Sequence, residues 1–73
     1  MDIRPPSLLP KDQEQRILRL PAVLQTTGLS RSTMYRLMAE REFPAPVKLA
    51  KRAVGWRHAD VWQWTINRPQ ASR

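Results

Sequence analysis

A mostly α-helical domain of three short helices carrying one small β-hairpin is the fold class this sequence predicts. Three observations predict it. Apolar residues recur at helical spacing in "PAVLQTT", "RSTMYRLMAER" and "HADVWQWTINR". Gly28 and Ser30 stand between the first two segments as the signals of a helix ending and a helix start. Between the second and third, "FPAPVKLAKRAVGW" interrupts the helical pattern with two prolines and then alternates apolar positions around a basic turn.

In chain order, residues 1–16 contain Pro5, Pro6 and Pro10, mixed charge and little apolar surface to bury, so a loosely ordered arm is expected. "ILRL" (17–20) is compatible with a brief strand. Pro21 suits the first position of a helix, where its missing N–H is not needed. That helix is about two turns long and ends at Gly28, the expected left-handed residue; Leu29 can then fold back onto Leu24 in a Schellman ending.

Ser30 is positioned to cap the second helix, its hydroxyl accepting from the backbone N–H of Ser32 or Thr33. The helix should run from about Arg31 to Arg41, with Met34, Leu37 and Met38 as its buried stripe. Its opposite stripe is Arg31, Ser32, Tyr35, Arg36 and Ala39. A cation in the first turn opposes the macrodipole by about 0.3 to 1 kcal/mol. Arg31 is therefore not there to stabilise the helix.

The hairpin strands are "VKL" and "VGW" with Lys51 and Arg52 at the tip. Tight hairpins prefer Asn-Gly types of turn, so a longer or looser loop is expected here. Val47, Leu49, Val54 and Trp56 are expected to share a face packed on the helices. The third helix should span about His58 to Arg68, with Val61, Trp64 and Thr65 inward, Ile66 at the edge of that set and Trp62 off it. "RPQASR" reads as a frayed tail, which leaves residues 17–68 as the folded unit and 69–73 beyond it.

Composition narrows the function. The 73 residues carry 13 Lys plus Arg against 6 Asp plus Glu, a net charge of +7, and the pI is about 11.4. The span from Arg31 to Arg57 holds Arg31, Arg36, Arg41, Lys48, Lys51, Arg52 and Arg57 against only Glu40 and Glu42. Clustered basic charge of this kind is the electrostatic footprint of a nucleic-acid binder. The plainer alternative is a solvated basic surface. With no cysteine there is neither disulfide nor thiolate ligand, and a reducing, intracellular setting is expected. The first 16 residues lack the apolar core of a signal peptide, and no apolar run approaches the roughly 18 residues that suggest a bilayer span.

Helix, tight turn, helix and basic-tipped hairpin is the order of a winged helix-turn-helix, in which the second helix enters the major groove of double-stranded DNA. Arg31 or Arg36 can pair with guanine, while Ser32 and Tyr35 can bond a phosphate or a base edge. Lys51 and Arg52 would reach the flanking backbone or the adjacent minor groove.

The stretch from "RLPAVLQTTGLSRSTMYRLMAEREFPAPVKLAKRAVGW" to "DVWQW" resembles the AlpA family of prophage-type regulators, related to MerR-like and excisionase-like winged helices. The matching pieces are "TGLSRSTMYRL", "FPAPVKL", "RAVGW" and a closing helix with tryptophan. The resemblance implies a small cytoplasmic, nucleoid-associated bacterial protein of a prophage or other mobile element that acts near promoters or attachment sites. Carried over by position, the DNA-facing residues are Ser30, Arg31, Ser32, Tyr35 and Arg36, with Lys48, Lys51, Arg52 and Arg57 from the wing. Trp62 departs from the pattern, standing where an exposed polar residue would be ordinary.

Regulation of transcription is the leading reading. An excisionase that bends attachment-site DNA for an integrase needs the same helix and wing. A module that inhibits a partner protein through Trp62 is a third reading, weighed against loose packing of that side chain on the arm. Trp56 and Trp64 sit at inward positions and read as core rather than as stacking platforms. His58 reads as a helix-start or surface residue, since one histidine alone holds no metal. No Cys nucleophile, no Ser-His-acid set at plausible spacing and no glycine-rich phosphate loop appears, and the chain has little room for a pocket of about 300 Å³. Neither an enzyme nor a cofactor, small-molecule ligand or membrane partner is therefore expected. Self-association on DNA is, because one short helix reads few base pairs.

Overall fold

A computed structural model describes Gln13 and residues 15–71. Among the described residues the order is β1 (Ile17–Leu18), α1 (Leu20–Thr27), α2 (Arg31–Ala39), β2 (Val47–Ala50), β3 (Ala53–Arg57) and α3 (His58–Ile66). Three helices pack with a small antiparallel sheet of order β1-β3-β2, in keeping with a winged helix. Most of the expected arm lies outside the described residues. Within them, the Arg16 carbonyl accepts the His58 N–H at 2.8 Å, joining the chain before β1 to the start of α3.

Pro occupies the first turn of α1, and Gly28 ends the helix at φ 75° with its N–H on the Leu24 carbonyl at 2.8 Å. This single bond is the simpler left-handed cap; the Leu29 N–H turns instead to the Thr27 hydroxyl at 3.3 Å. The full Schellman pair expected for α1 occurs at the end of α2. There Arg41 N–H donates to Met38 O at 3.0 Å and Glu42 N–H to Leu37 O at 2.8 Å, with Arg41 itself at φ 60°. The left-handed residue stops α2 at Ala39, two residues before the expected Arg41. Likewise α3 ends at Ile66 rather than Arg68: the N–H groups of Asn67 and Arg68 close tighter turns, donating at 3.3 Å to carbonyls three residues back, Trp64 O and Thr65 O, before Pro69.

The core is Leu18, Val23, Met34, Phe43, Trp56 and Val61, with Val23, Met34 and Val61 wholly buried. Leu20, Ala22, Leu24, Leu29, Leu37, Met38 and Trp64 close around it. Each helix thus presents the apolar stripe its spacing implied, and both Trp56 and Trp64 face inward. Phe43, read from the sequence only as part of a helix-breaking linker, is a core residue. Its ring meets Trp64 edge-on at 4.9 Å between centroids.

The hairpin departs from expectation in two ways. Its loop is tight, since Ala50 pairs with Ala53 across Lys51 and Arg52 alone. Neither loop residue takes a positive φ, so the turn lacks the geometry that matches strand twist. The mismatch is taken up in β2: the register shifts by one residue between Lys48 and Ala50, which leaves Leu49 as a bulge. Leu49 and Val54 are 43% and 45% exposed, against 1% for Trp56. The reason is register. Val47 stands opposite Gly55 and Lys48 opposite Val54, and Leu49 Cδ1 approaches the Gly55 side, so Val47 and Leu49 do not share a face with Val54 and Trp56 and the single apolar face expected of the hairpin does not form.

Gly55 is the point where β1 closes over β3. A β-carbon there would stand 2.5 Å from Ile17 Cγ2 and 3.0 Å from the Leu18 carbonyl, so only glycine fits without a shift.

Candidate nucleic-acid interface

The face begins at the start of α2. Ser30, in extended geometry, accepts the Thr33 N–H on its hydroxyl at 3.2 Å and donates to the Thr33 hydroxyl at 2.8 Å. The cap does the work predicted for it and fixes where the first turn points. No acid stands in that turn, and Arg31 and Ser32 are both exposed on it. The positive end of the helix dipole and the Arg31 guanidinium therefore reinforce one another, which favours an anion at this end.

About one turn along lie Tyr35, 47% exposed, and Arg36, whose guanidinium donates to Glu40 at 3.4 Å. Both partners of this ion pair are exposed, at 61% and 47%, so it is worth only a few tenths of a kcal/mol and gives way readily to a stronger anion. Met34, on the opposite side of the same helix, has no exposed surface and anchors it.

The wing supplies the second cluster. Lys48, Lys51 and Arg52 are exposed on β2 and the turn. Arg57 is exposed too but stands at the other end of β3, paired with Ile17, roughly 16 Å along the strand from Arg52 at about 3.3 Å per residue. It belongs to the base of the wing, apart from the basic tip.

Arg41 was not singled out by its sequence position. It is exposed, sits in the left-handed region, and shares with Tyr35, Ala39, Ala45 and Pro46 the lining of an open groove of about 590 Å³ beside α2. On its other side, Arg41 borders a second open cleft of about 470 Å³ that includes Glu42 and Asp60. Both are depressions open to the surface rather than enclosed cavities. Arg41 thus marks a boundary between a cationic face and one bearing two carboxylates. The available sequence signal was its place two residues before "FP", where a helix must reverse.

Trp62 is half-buried, as Trp64 is, rather than turned fully outward. His58 is half-buried at the start of α3, and no group of three or more metal-ligating side chains occurs among the described residues. No helix among the described residues is long and apolar enough to cross a membrane.

Comparison with known proteins gives a consistent result. The family model described as prophage CP4-57 regulatory protein (AlpA) matches residues 16–69. The chain is 43% identical over 60 residues to the uncharacterized protein ORF88 of Enterobacteria phage P4, covering 82% of this chain and 68% of that protein. It is 39% identical over 59 residues to the DNA-binding transcriptional activator AlpA of Escherichia coli K12, covering 73% of this chain and 84% of that one. No solved structure gives a significant match.

Proposed function

The chain belongs to the AlpA family of prophage regulatory proteins, and from that membership we propose that it is a sequence-specific regulator of transcription that binds double-stranded DNA. The observation that carries the reading is the outward face of α2: Arg31, Ser32, Tyr35 and Arg36 exposed behind a serine cap, with no acid in the first turn. A relative named as a DNA-binding transcriptional activator supports it.

In this reading α2 lies in the major groove. Arg31 and Arg36 donate bidentately to the O6 and N7 of guanine, Arg36 exchanging Glu40 for the base. Ser32 and Tyr35 bond phosphate or base edges, and the free N–H groups beside Ser30 donate to a phosphate oxygen. Lys48, Lys51 and Arg52 grip the flanking backbone, where they add affinity without reading sequence. Arg57, at the wing base, contributes long-range attraction. Arg41 adds a further phosphate contact at the C-terminal end of α2.

Nine residues of helix are roughly 13 Å long at 1.5 Å per residue, enough to read only a few base pairs. The protein therefore acts as a dimer or as cooperative neighbours on DNA. The test is selection of bound fragments from the source genome at about 0.15 M salt with competitor DNA, since unspecific binding falls steeply with salt. A site overlapping a promoter is expected. Several phased sites at an attachment locus would favour excision over regulation, with an integrase as partner. Recovery of nothing above background would overturn DNA recognition and turn attention to Trp62 as a protein contact.

A further inference from the structure

The segment joining α2 to the wing is held by two indoles. Trp64 of α3 donates its Nε1–H to the Glu42 carbonyl at 2.8 Å, and Trp56 of β3 donates its own to the Pro44 carbonyl at 3.0 Å. Between those carbonyls, Phe43 is buried with its ring against Trp64. Upstream, the Glu42 N–H is already tied to Leu37 of α2. Every residue from Glu42 to Pro44 is thus fastened, one end to the reading helix and the other to the wing. Trp64 is itself steadied by Arg68, whose guanidinium lies 4.1 Å over the ring and whose Nε–H donates to the Trp64 carbonyl at 3.0 Å.

Resting on the DNA-binding reading above, we propose that the indole N–H groups of Trp56 and Trp64 are positioning groups that set the angle and spacing between α2 and the wing, and so separate specific from unspecific DNA. The physical argument is preorganisation. A specific site must be met by helix and wing in one register, and each degree of freedom left in the joint is lost on binding. Unspecific electrostatic binding needs no such register. The two contacts differ in setting: the Glu42 carbonyl is exposed and is solvated by water when Trp64 no longer donates, whereas Trp56 is almost wholly buried. Loss of the Trp64 N–H therefore loosens the joint while leaving the core filled.

The test compares the unmodified protein, Trp64→Phe, and a synthetic 73-residue chain in which benzothienylalanine, an indole isostere with sulfur in place of N–H, stands at position 64. Residual dipolar couplings of the free proteins report the α2–wing orientation, and fluorescence anisotropy reports affinity for the selected site and for scrambled DNA. The expected result is a broadened orientation, about a tenfold loss for the selected site and less than a twofold change for scrambled DNA. Unchanged orientation, or equal losses on both DNAs, would overturn the positioning role. Should the benzothienyl protein, which fills the same volume, match the unmodified one in every readout, the proposal is likewise wrong. Failure of the unmodified protein to prefer any site would instead overturn the DNA reading, and the dipolar couplings would still decide whether the indole bonds set the joint.

Discussion

Arg36 and Glu40 face each other across one turn of α2, guanidinium to carboxylate at 3.4 Å, on the helix face that carries the other exposed basic and polar residues. Under the proposed DNA reading, an acid beside Arg36 holds it in one direction while unbound and repels phosphate at the same time. Glu40→Gln removes the repulsion and releases Arg36. We expect unchanged thermal stability within about 0.5 kcal/mol, because exposed pairs of this kind contribute little. We also expect tighter binding to scrambled DNA at low salt and a smaller ratio of specific to unspecific affinity. Titrations at several salt concentrations check this, and an undiminished ratio would show that Glu40 plays no part in discrimination.

The two basic clusters should fail differently. Arg31→Ala or Arg36→Ala is expected to cost about 1 to 3 kcal/mol at the selected site and to relax preference at one base position. Lys51→Ala should weaken all DNA alike and reduce the salt slope by about one. Binding of a randomised-site library by each variant distinguishes the two patterns. If the arginine variants fold and keep full affinity, α2 is not the reading helix.

Arg41 sits where glycine would be relaxed. A non-glycine residue in the left-handed region costs about 1 to 2 kcal/mol, part of which glycine returns through its freer unfolded chain. Arg41→Gly is therefore expected to stabilise the fold by up to about 1 kcal/mol and to weaken DNA binding. Thermal melts and anisotropy measure the two effects separately. A variant both more stable and equally tight on DNA would remove Arg41 from the interface.

Two serine and glycine substitutions test the scaffold itself. Ser30→Ala removes the acceptor for the Thr33 N–H and should cost about 1 kcal/mol of stability. Gly55→Ala drives a methyl group into Ile17 and the Leu18 carbonyl; overpacking of this kind costs about 1 to 3 kcal/mol. Hydrogen exchange should then show β1 opening first. Loss confined to the wing tip would mean that β1 is not where the strain falls.

The features legible along the chain are those that short-range physics controls. Gly28 ends α1 because only a residue free of a β-carbon sits there without strain, and Ser30 starts α2 because its hydroxyl reaches an N–H three residues on. The helical stripe Met34, Leu37 and Met38, and the cationic stripe opposite it, follow from 3.6 residues per turn. The tertiary structure alone decided the rest. Alternation put Val47, Leu49, Val54 and Trp56 on one face, yet the pairing of Val47 with Gly55 and of Lys48 with Val54, and the bulge at Leu49, divide them between the two faces of the hairpin. Phe43 looked like linker because no local pattern surrounds it; it is core because Trp64 and Trp56 arrive from later in the chain. Arg41 takes a left-handed backbone that its own chemistry disfavours, since α2 must reverse there for Phe43 to enter the core. Arg57 parted from the wing tip for the same kind of reason: position along a strand is set by register with a distant partner, here Ile17, and no local spacing encodes it.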